Sequence, residues 1–226
     1  MALSEEARAR LAPQAAEIIG RYPRARSALL PLLHLVQSQE GYVSQDGIEF
    51  CAEQLGLTEA DVTGVVSFYT MYKRKPVGEY HVGVCTNSLC AVMGGDAIFA
   101  DLQEHLGIGN DETTADGKVS LEHLECNAAC DYAPVVMVNW EFFDNMTPPK
   151  ARDLVDDLRS GVAVSPTRGA PRLVTWKQTG QILAGFPDGQ AAEGNTAGDP
   201  TLAGLRAAKQ QGWTPDDGPR APEGTQ

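Results

Sequence analysis

Two close pairs of cysteines constrain this chain more than any other feature: Cys85-x4-Cys90 and, about 35 residues further on, Cys126-x3-Cys130. Their meaning depends on compartment. The first residues, Met1-Ala-Leu-Ser-Glu-Glu-Ala-Arg, carry charge at once and lack the apolar centre of a signal peptide. A cytoplasmic protein is therefore expected, and in a reducing compartment paired cysteines serve as metal ligands or reactive thiols more often than as disulfides. A thioredoxin-type redox pair needs two intervening residues, which neither pair has. Four thiolates suit structural zinc, whose pair spacings overlap these. They also suit a [2Fe-2S] cluster, with each local pair supplying two of the four ligands. The spacing is not that of plant-type ferredoxins, and no histidine lies within either pair, which argues against a Rieske centre. On spacing alone, iron–sulfur and zinc both stand.

The surrounding sequence reads as an α/β protein in three parts. Residues 1–75 form a helical unit. Ser4 caps a helix carrying Ala7, Leu11, Ala15, Ile18 and Ile19, and Ser27 caps a second, running through Leu29 to Val36 and ending at Gly41. A short third helix covers about Asp46 to Leu55, and a fourth opens on the capping box Thr58/Asp61 with Val62, Val65, Val66 and Phe68 on its apolar side. Residues 76–161 switch to mixed strand and helix. Tyr80, Val82 and Val84 alternate into Cys85; Gly94-Gly95 opens a helix through Leu106; Val119 to Leu124 runs towards Cys126. A hairpin over 135–144 and a Thr147-capped helix ending at Gly161 complete the unit, with both cysteine pairs in loops at strand ends. Residues 162–226 are rich in Gly, Pro, Ala, Ser, Thr and Gln, with apolar islands only. They suit either a disordered tail or an extended arm on a partner, since Trp176, Phe186 and Trp213 are costly to leave in water.

Charge narrows the partners. The net charge of −12 argues against nucleic acid, and residues 96–160 carry 14 acidic against 4 basic side chains. No run of about 18 apolar residues is present, so direct membrane insertion is not expected. There is no G-x-G-x-x-G after a strand, and Gly94-Gly95 reads as a helix-entry turn, so the chain has no nucleotide fingerprint of its own.

The residues between the cysteines carry a resemblance. Val84-Cys-Thr-Asn-Ser-Leu-Cys and Glu125-Cys-Asn-Ala-Ala-Cys-Asp-Tyr-Ala-Pro resemble the 24 kDa subunit family of respiratory complex I, the E subunit of NADH-quinone oxidoreductase. Ala28-Leu-Leu-Pro-Leu-Leu-His-Leu-Val-Gln, Gly41-Tyr-Val-Ser, Val65-Val-Ser-Phe-Tyr-Thr-Met-Tyr and Pro76-Val-Gly extend the resemblance over roughly residues 4 to 161. It implies an N-terminal helical bundle followed by a thioredoxin-like [2Fe-2S] ferredoxin domain and an irregular C-terminal tail. It further implies that Cys85, Cys90, Cys126 and Cys130 bind the cluster, and that the chain docks on the flavin- and NADH-binding subunit, with FMN and NADH held there, in the peripheral arm of complex I at the inner face of the plasma membrane. Equivalent subunits of NAD-linked hydrogenases or formate dehydrogenases are the near alternative, and a zinc-stabilised interaction module the distant one. The family's usual Leu-Gly-Ala between the last two cysteines is Asn127-Ala128-Ala129 here. If that glycine serves a positive φ, Ala128 implies a strained or shifted loop.

Thr86, Asn87, Ser88 and Asn127 suit loops that offer backbone N–H groups to sulfur, and a helix starting near Gly95 would turn its positive end to Cys90. Glu122, Glu125 and Asp131 flank the second pair, so a low reduction potential is predicted, partly offset by those donors. The remaining candidates read as structural. Cys51 is a small core residue, His34 is packed in its helix, and His81, His105 and His123 are surface or strand residues. Met93 and Met137 are packing around the cysteines, and Pro134 occupies a position where thioredoxin-like folds often have a cis peptide.

Overall fold

The computed structural model describes residues 3–190 and 197–213; the parts of the expected tail at 191–196 and 214–226 lie outside the described residues. The helical unit follows its caps. Helix α1 (Glu5–Gly20) begins where Ser4 accepts the Ala7 N–H, α3 (Gln45–Leu55) where Ser44 accepts that of Gly47, and α4 (Glu59–Phe68) at the Thr58/Asp61 capping box. Helix α2 (Leu29–Glu40) departs from expectation. A 3-10 turn over Ala25–Ala28 feeds it directly, so Ala28 is already helical and Ser27 caps nothing. Leu11, Ile18, Leu32, Leu33, Phe50, Cys51 and Val62 share one core, which confirms Cys51 as a packing residue. Phe68 is not part of it: at the end of α4 it is 77% exposed.

The second layer is a five-stranded sheet in the order β2-β3-β1-β4-β5. Strand β1 (Tyr80–Cys85) lies at its centre, parallel to β3 (Val119–Leu124) and antiparallel to β4 (Val136–Val138), which pairs with β5 (Glu141–Phe143). The two-residue β2 (Glu112–Thr113) edges β3. Helices α6 (Gly95–Leu106) and α7 (Pro148–Ser160) bury Ile98, Leu102, Leu154 and Val155 against Val82, Val84, Val119 and Leu121. A parallel pair needs a crossover, and α6 supplies it. The register sets Cys85 opposite Leu124, so the loops that leave β1 and β3 start side by side at one end of the sheet.

The segment after Gly161 seats on the chain itself. The Thr167 N–H donates to the Phe142 carbonyl at 2.9 Å, Asn139 Nδ2 to the Val174 carbonyl at 2.8 Å, and the Trp176 N–H to the Glu79 carbonyl at 2.8 Å. Helix α8 (Trp176–Leu183), opened by a Thr175/Gln178 capping box, then lies on α2. Trp176 is 2% exposed and its Nε1 donates to the Gly41 carbonyl at 2.7 Å. Gly180 sits so close to Ser38 that a Cβ there would come within 3.0 Å of the Ser38 backbone. Helix α9 (Asp199–Gln211) has no buried residue and touches the turn Cys130–Tyr132, with Thr201 Oγ1 donating to Asp131 at 2.7 Å. Of the three costly aromatics, Trp176 is buried, Phe186 is half-buried under Arg21, and Trp213 is exposed.

Candidate metal centre

Each cysteine is placed by a different local device. Cys85 is the last residue of β1; its N–H donates to the Val135 carbonyl at 3.0 Å, and the next N–H, that of Thr86, donates to the Leu124 carbonyl at 3.2 Å. The first loop is thereby tied to both neighbouring strands before it turns away. Cys90 lies not in a loop but in a short helix, α5 (Ser88–Val92), whose five residues are too few to show a helical period in the sequence. Gly95, the first residue of α6, packs on the carbonyls of Cys85 and Cys90, and a Cβ there would meet the Cys85 oxygen at 2.4 Å. Only glycine lets the start of α6 come this near the first pair.

The second loop is more open. Cys126 lies two residues past β3, and Ala128 adopts φ +51°. The expected strain at this position is therefore present, an alanine held in the left-handed region. The turn aims the Ala128 N–H at Cys126 Sγ, 3.3 Å away. Cys130 begins a 3-10 turn that ends before the cis Ala133–Pro134 peptide.

Cys85 and Cys90 are buried while Cys126 and Cys130 are exposed, so the two pairs differ in their access to solvent. Burial pushes the Cys90 thiol up to about 11; a backbone hydrogen bond from Val135 opposes this, and the charges of Cys85 and Cys130 add to the rise. Cys85 Sγ also donates to the Glu125 carbonyl at 3.6 Å, bridging the two loops. Among the described residues no three His, Cys, Asp or Glu side chains converge as ligands for one metal ion. A two-iron unit does not ask for that convergence, because each iron takes its own pair. The donor set, its division into pairs and the sulfur-directed N–H of Ala128 fit such a group.

Two further polar atoms are left over. Asn127 Nδ2 and Trp140 Nε1 are buried without a partner. Both residues line an open cleft beside Cys126, together with Met71, Leu124 and Met137. Met137 packs with the buried cysteines as expected, whereas Met93 does not: with Leu89 and Val92 it forms an exposed apolar face on α5.

The carboxylates divide in a way the sequence did not reveal. Glu122 is not a free charge beside the site; it pairs with Lys73 and, at 2.5 Å, with His81 Nε2. Burial raises Glu122, but His81 and Lys73 outweigh it and hold the carboxyl at about 2. Of its two expected placements His81 takes the strand, on β1, and not the surface. It is 2% exposed, with its ring 5.1 Å from that of Trp140 and 5.2 Å from that of Trp176. His81 and Glu122 share a face of the sheet, yet no sequence signal pairs β1 with β3. Asp131 accepts from Thr201, Glu125 is exposed, His34 is buried in its helix, His105 pairs with Asp156 and His123 is exposed.

Comparison with known proteins identifies the family. Residues 15–159 match the family described as thioredoxin-like [2Fe-2S] ferredoxin. The chain is 64% identical over 216 residues to the E subunit of NADH-quinone oxidoreductase from Mycobacterium tuberculosis, covering 95% of this chain and 85% of that protein. It is 42% identical over 149 residues to the corresponding E subunit from Rickettsia bellii, 65% of this chain and 89% of that one. A crystal structure of an NAD+-reducing [NiFe]-hydrogenase shares the fold, with a TM-score of 0.53 at 18% identity over 59% of this chain and 23% of that longer one.

Proposed function

This chain belongs to the thioredoxin-like [2Fe-2S] ferredoxins that serve as the E subunit of NADH-quinone oxidoreductase, and from that premise we propose that Cys85, Cys90, Cys126 and Cys130 hold its [2Fe-2S] cluster. The protein is an electron-transfer subunit of an oxidoreductase complex. When bound, the cluster supplies one-electron chemistry that no side chain here provides. The residues do the rest. Cys85 and Cys90, set deep by β1 and α5, exclude water from one side. Cys126 and Cys130 close the other side from a loop whose Ala128 N–H already addresses sulfur. The thiols bind as thiolates, since coordination outweighs the burial that raises Cys90. The observation that carries this reading is the parallel β1–β3 pair, which starts both cysteine loops at one end of the sheet.

The chain has no nucleotide fingerprint, so NADH oxidation and its flavin belong to a partner subunit with which this one exchanges electrons. Support for that docking comes from α5: Leu89, Val92 and Met93 are exposed apolar side chains flanking Cys90, and Val92 is 84% exposed. No helix among the described residues is long and apolar enough to cross a membrane. Attachment to the inner face of the plasma membrane would come through the complex.

The test is metal and acid-labile sulfide analysis of the anaerobically prepared full chain, with EPR after dithionite. Two irons and two sulfides per chain, a paramagnetic reduced state and no NADH oxidation are expected, with loss of the signal in C85S and C126S. Stoichiometric zinc with no sulfide would overturn the assignment, and strong NADH oxidation by the chain alone would overturn the division of labour.

A further inference from the structure

We propose that the side chain of Asn127 donates a hydrogen bond to a sulfur of the cluster and thereby raises its reduction potential, an inference that rests on the cysteine assignment above. Asn127 stands between two proposed ligands, in a loop already folded around sulfur. The positive φ at Ala128 turns the loop so that the Ala128 N–H reaches Cys126 Sγ. In this loop Asn127 Nδ2 is buried and has no acceptor. A buried amide donor left unpaired is destabilising, and native loops seldom carry one without a partner.

The direction of the missing acceptor follows from solvent. Asn127 borders a cleft beside Cys126 that is open to water. A donor facing that cleft would be hydrated, whereas Nδ2 is shut off from solvent. It therefore faces the protein side of the loop, where Asn127 lies between Cys126 and Cys130. The acceptors supplied there by a bound cluster are sulfurs, and they become more negative on reduction. An N–H donor stabilises the reduced state more than the oxidised one, so its removal lowers the potential. An aliphatic residue at this position would offer no such donor.

N127L keeps the side chain's approximate size and removes the donor. In the full chain, reconstituted anaerobically, N127L is expected to carry the same iron, sulfide and integrated EPR intensity as the parent. Its equilibrium constant for one-electron reduction should fall about tenfold, which is about 59 mV in an EPR-monitored titration. Pulsed EPR after exchange into D2O should lose one strongly coupled exchangeable proton. If N127L does not load, N127A, which adds no bulk, gives the same reading. A potential within twofold of the parent in equilibrium constant, or an unchanged set of exchangeable couplings, overturns the proposal. Failure of the cysteine assignment looks different: the parent chain itself would then show no sulfide and no signal.

Discussion

Replacing Trp176 by alanine should detach the C-terminal arm while leaving the rest of the protein folded. The indole is 2% exposed, stacks near His81 and Trp140, and donates to the Gly41 carbonyl. Truncating a buried tryptophan costs about 3–5 kcal/mol, and the lost hydrogen bond adds about 1. The full sum is not recovered as global destabilisation, because the arm can leave the surface once its docking energy is gone. The loss therefore appears as local opening. At about 1.4 kcal/mol per tenfold, a loss near 4 kcal/mol raises the open population about a thousandfold. Trypsin should read it directly, since cleavage of an opened segment follows its population. Arg168, Arg172 and Lys177 lie in the arm, and Lys177 Nζ is held on the Gln39 carbonyl while the arm is docked. W176F keeps a ring against His81 but loses the N–H and part of the indole's bulk, so a rise of at least about tenfold, smaller than in W176A, is expected. G180A reaches the same end by another route, forcing a methyl into the Ser38 backbone. Cleavage rates within threefold of the parent in W176A and G180A would refute the account of the arm as an internal brace.

Three further outcomes follow from the site. One carboxylate about 10 Å from the cluster opposes an added electron by about 1.7 kcal/mol at an effective dielectric near 20, or about 70 mV before screening. E125Q and D131N should therefore raise the potential; no upward shift in either discards the electrostatic reasoning. A128G relieves about 1–2 kcal/mol of left-handed strain and gives part of it back as unfolded-state freedom. Its cluster should bleach more slowly in air, with stability higher by about 0.5–1 kcal/mol in urea. On the acid side, burial lowers His34 to about 4 and also lowers His81, so the unfolded chain takes up these protons first as pH falls below about 6.5. Glu122, held at about 2 when folded, continues the loss from about pH 4.5 downwards. The urea midpoint of the full chain should thus decline from pH 7 to 5 and again below 4.5, and a flat profile between pH 7 and 5 contradicts the histidine contribution.

What the sequence revealed and what it hid divide along the range of the interaction. Caps at Ser4, Thr58 and Thr147 act over three residues, so their chemistry is visible in the residues themselves. Ala128 was legible for the same reason, since a positive φ is a property of one residue and its side chain. Ser27 failed because a preceding 3-10 turn had already made Ala28 helical, a choice settled by packing. The arm was illegible because its apolar residues complete other elements' cores. Ala184 joins the helical core and Trp176 lies against the rings of His81 and Trp140, so a composition too poor to build a core sufficed to cap one. The Lys73–Glu122–His81 group needed the β1–β3 register, which no local pattern encodes.

These same two strands tie the brace to the cysteines. His81 precedes Cys85 by four residues on β1, about 13 Å along the strand, and Glu122 on β3 precedes Cys126, two residues beyond that strand's end, by the same number. One end of the strand pair is held by Lys73 from the linker and by Trp176 from the arm; the other end releases the two loops. A second anchor lies across the sheet, where Arg168 from the arm pairs with the buried Asp144 and covers the rings of Phe142 and of Tyr132, two residues past Cys130. Donors aimed at sulfur favour electron uptake most when they need not move as the charge changes. The arm, although outside the matched family region of residues 15–159, grips both the strand that delivers Cys85 and the turn that follows Cys130. Releasing it should therefore loosen the cysteine loops without touching a ligand, so that W176A broadens the EPR line of the reduced protein while leaving its iron content unchanged.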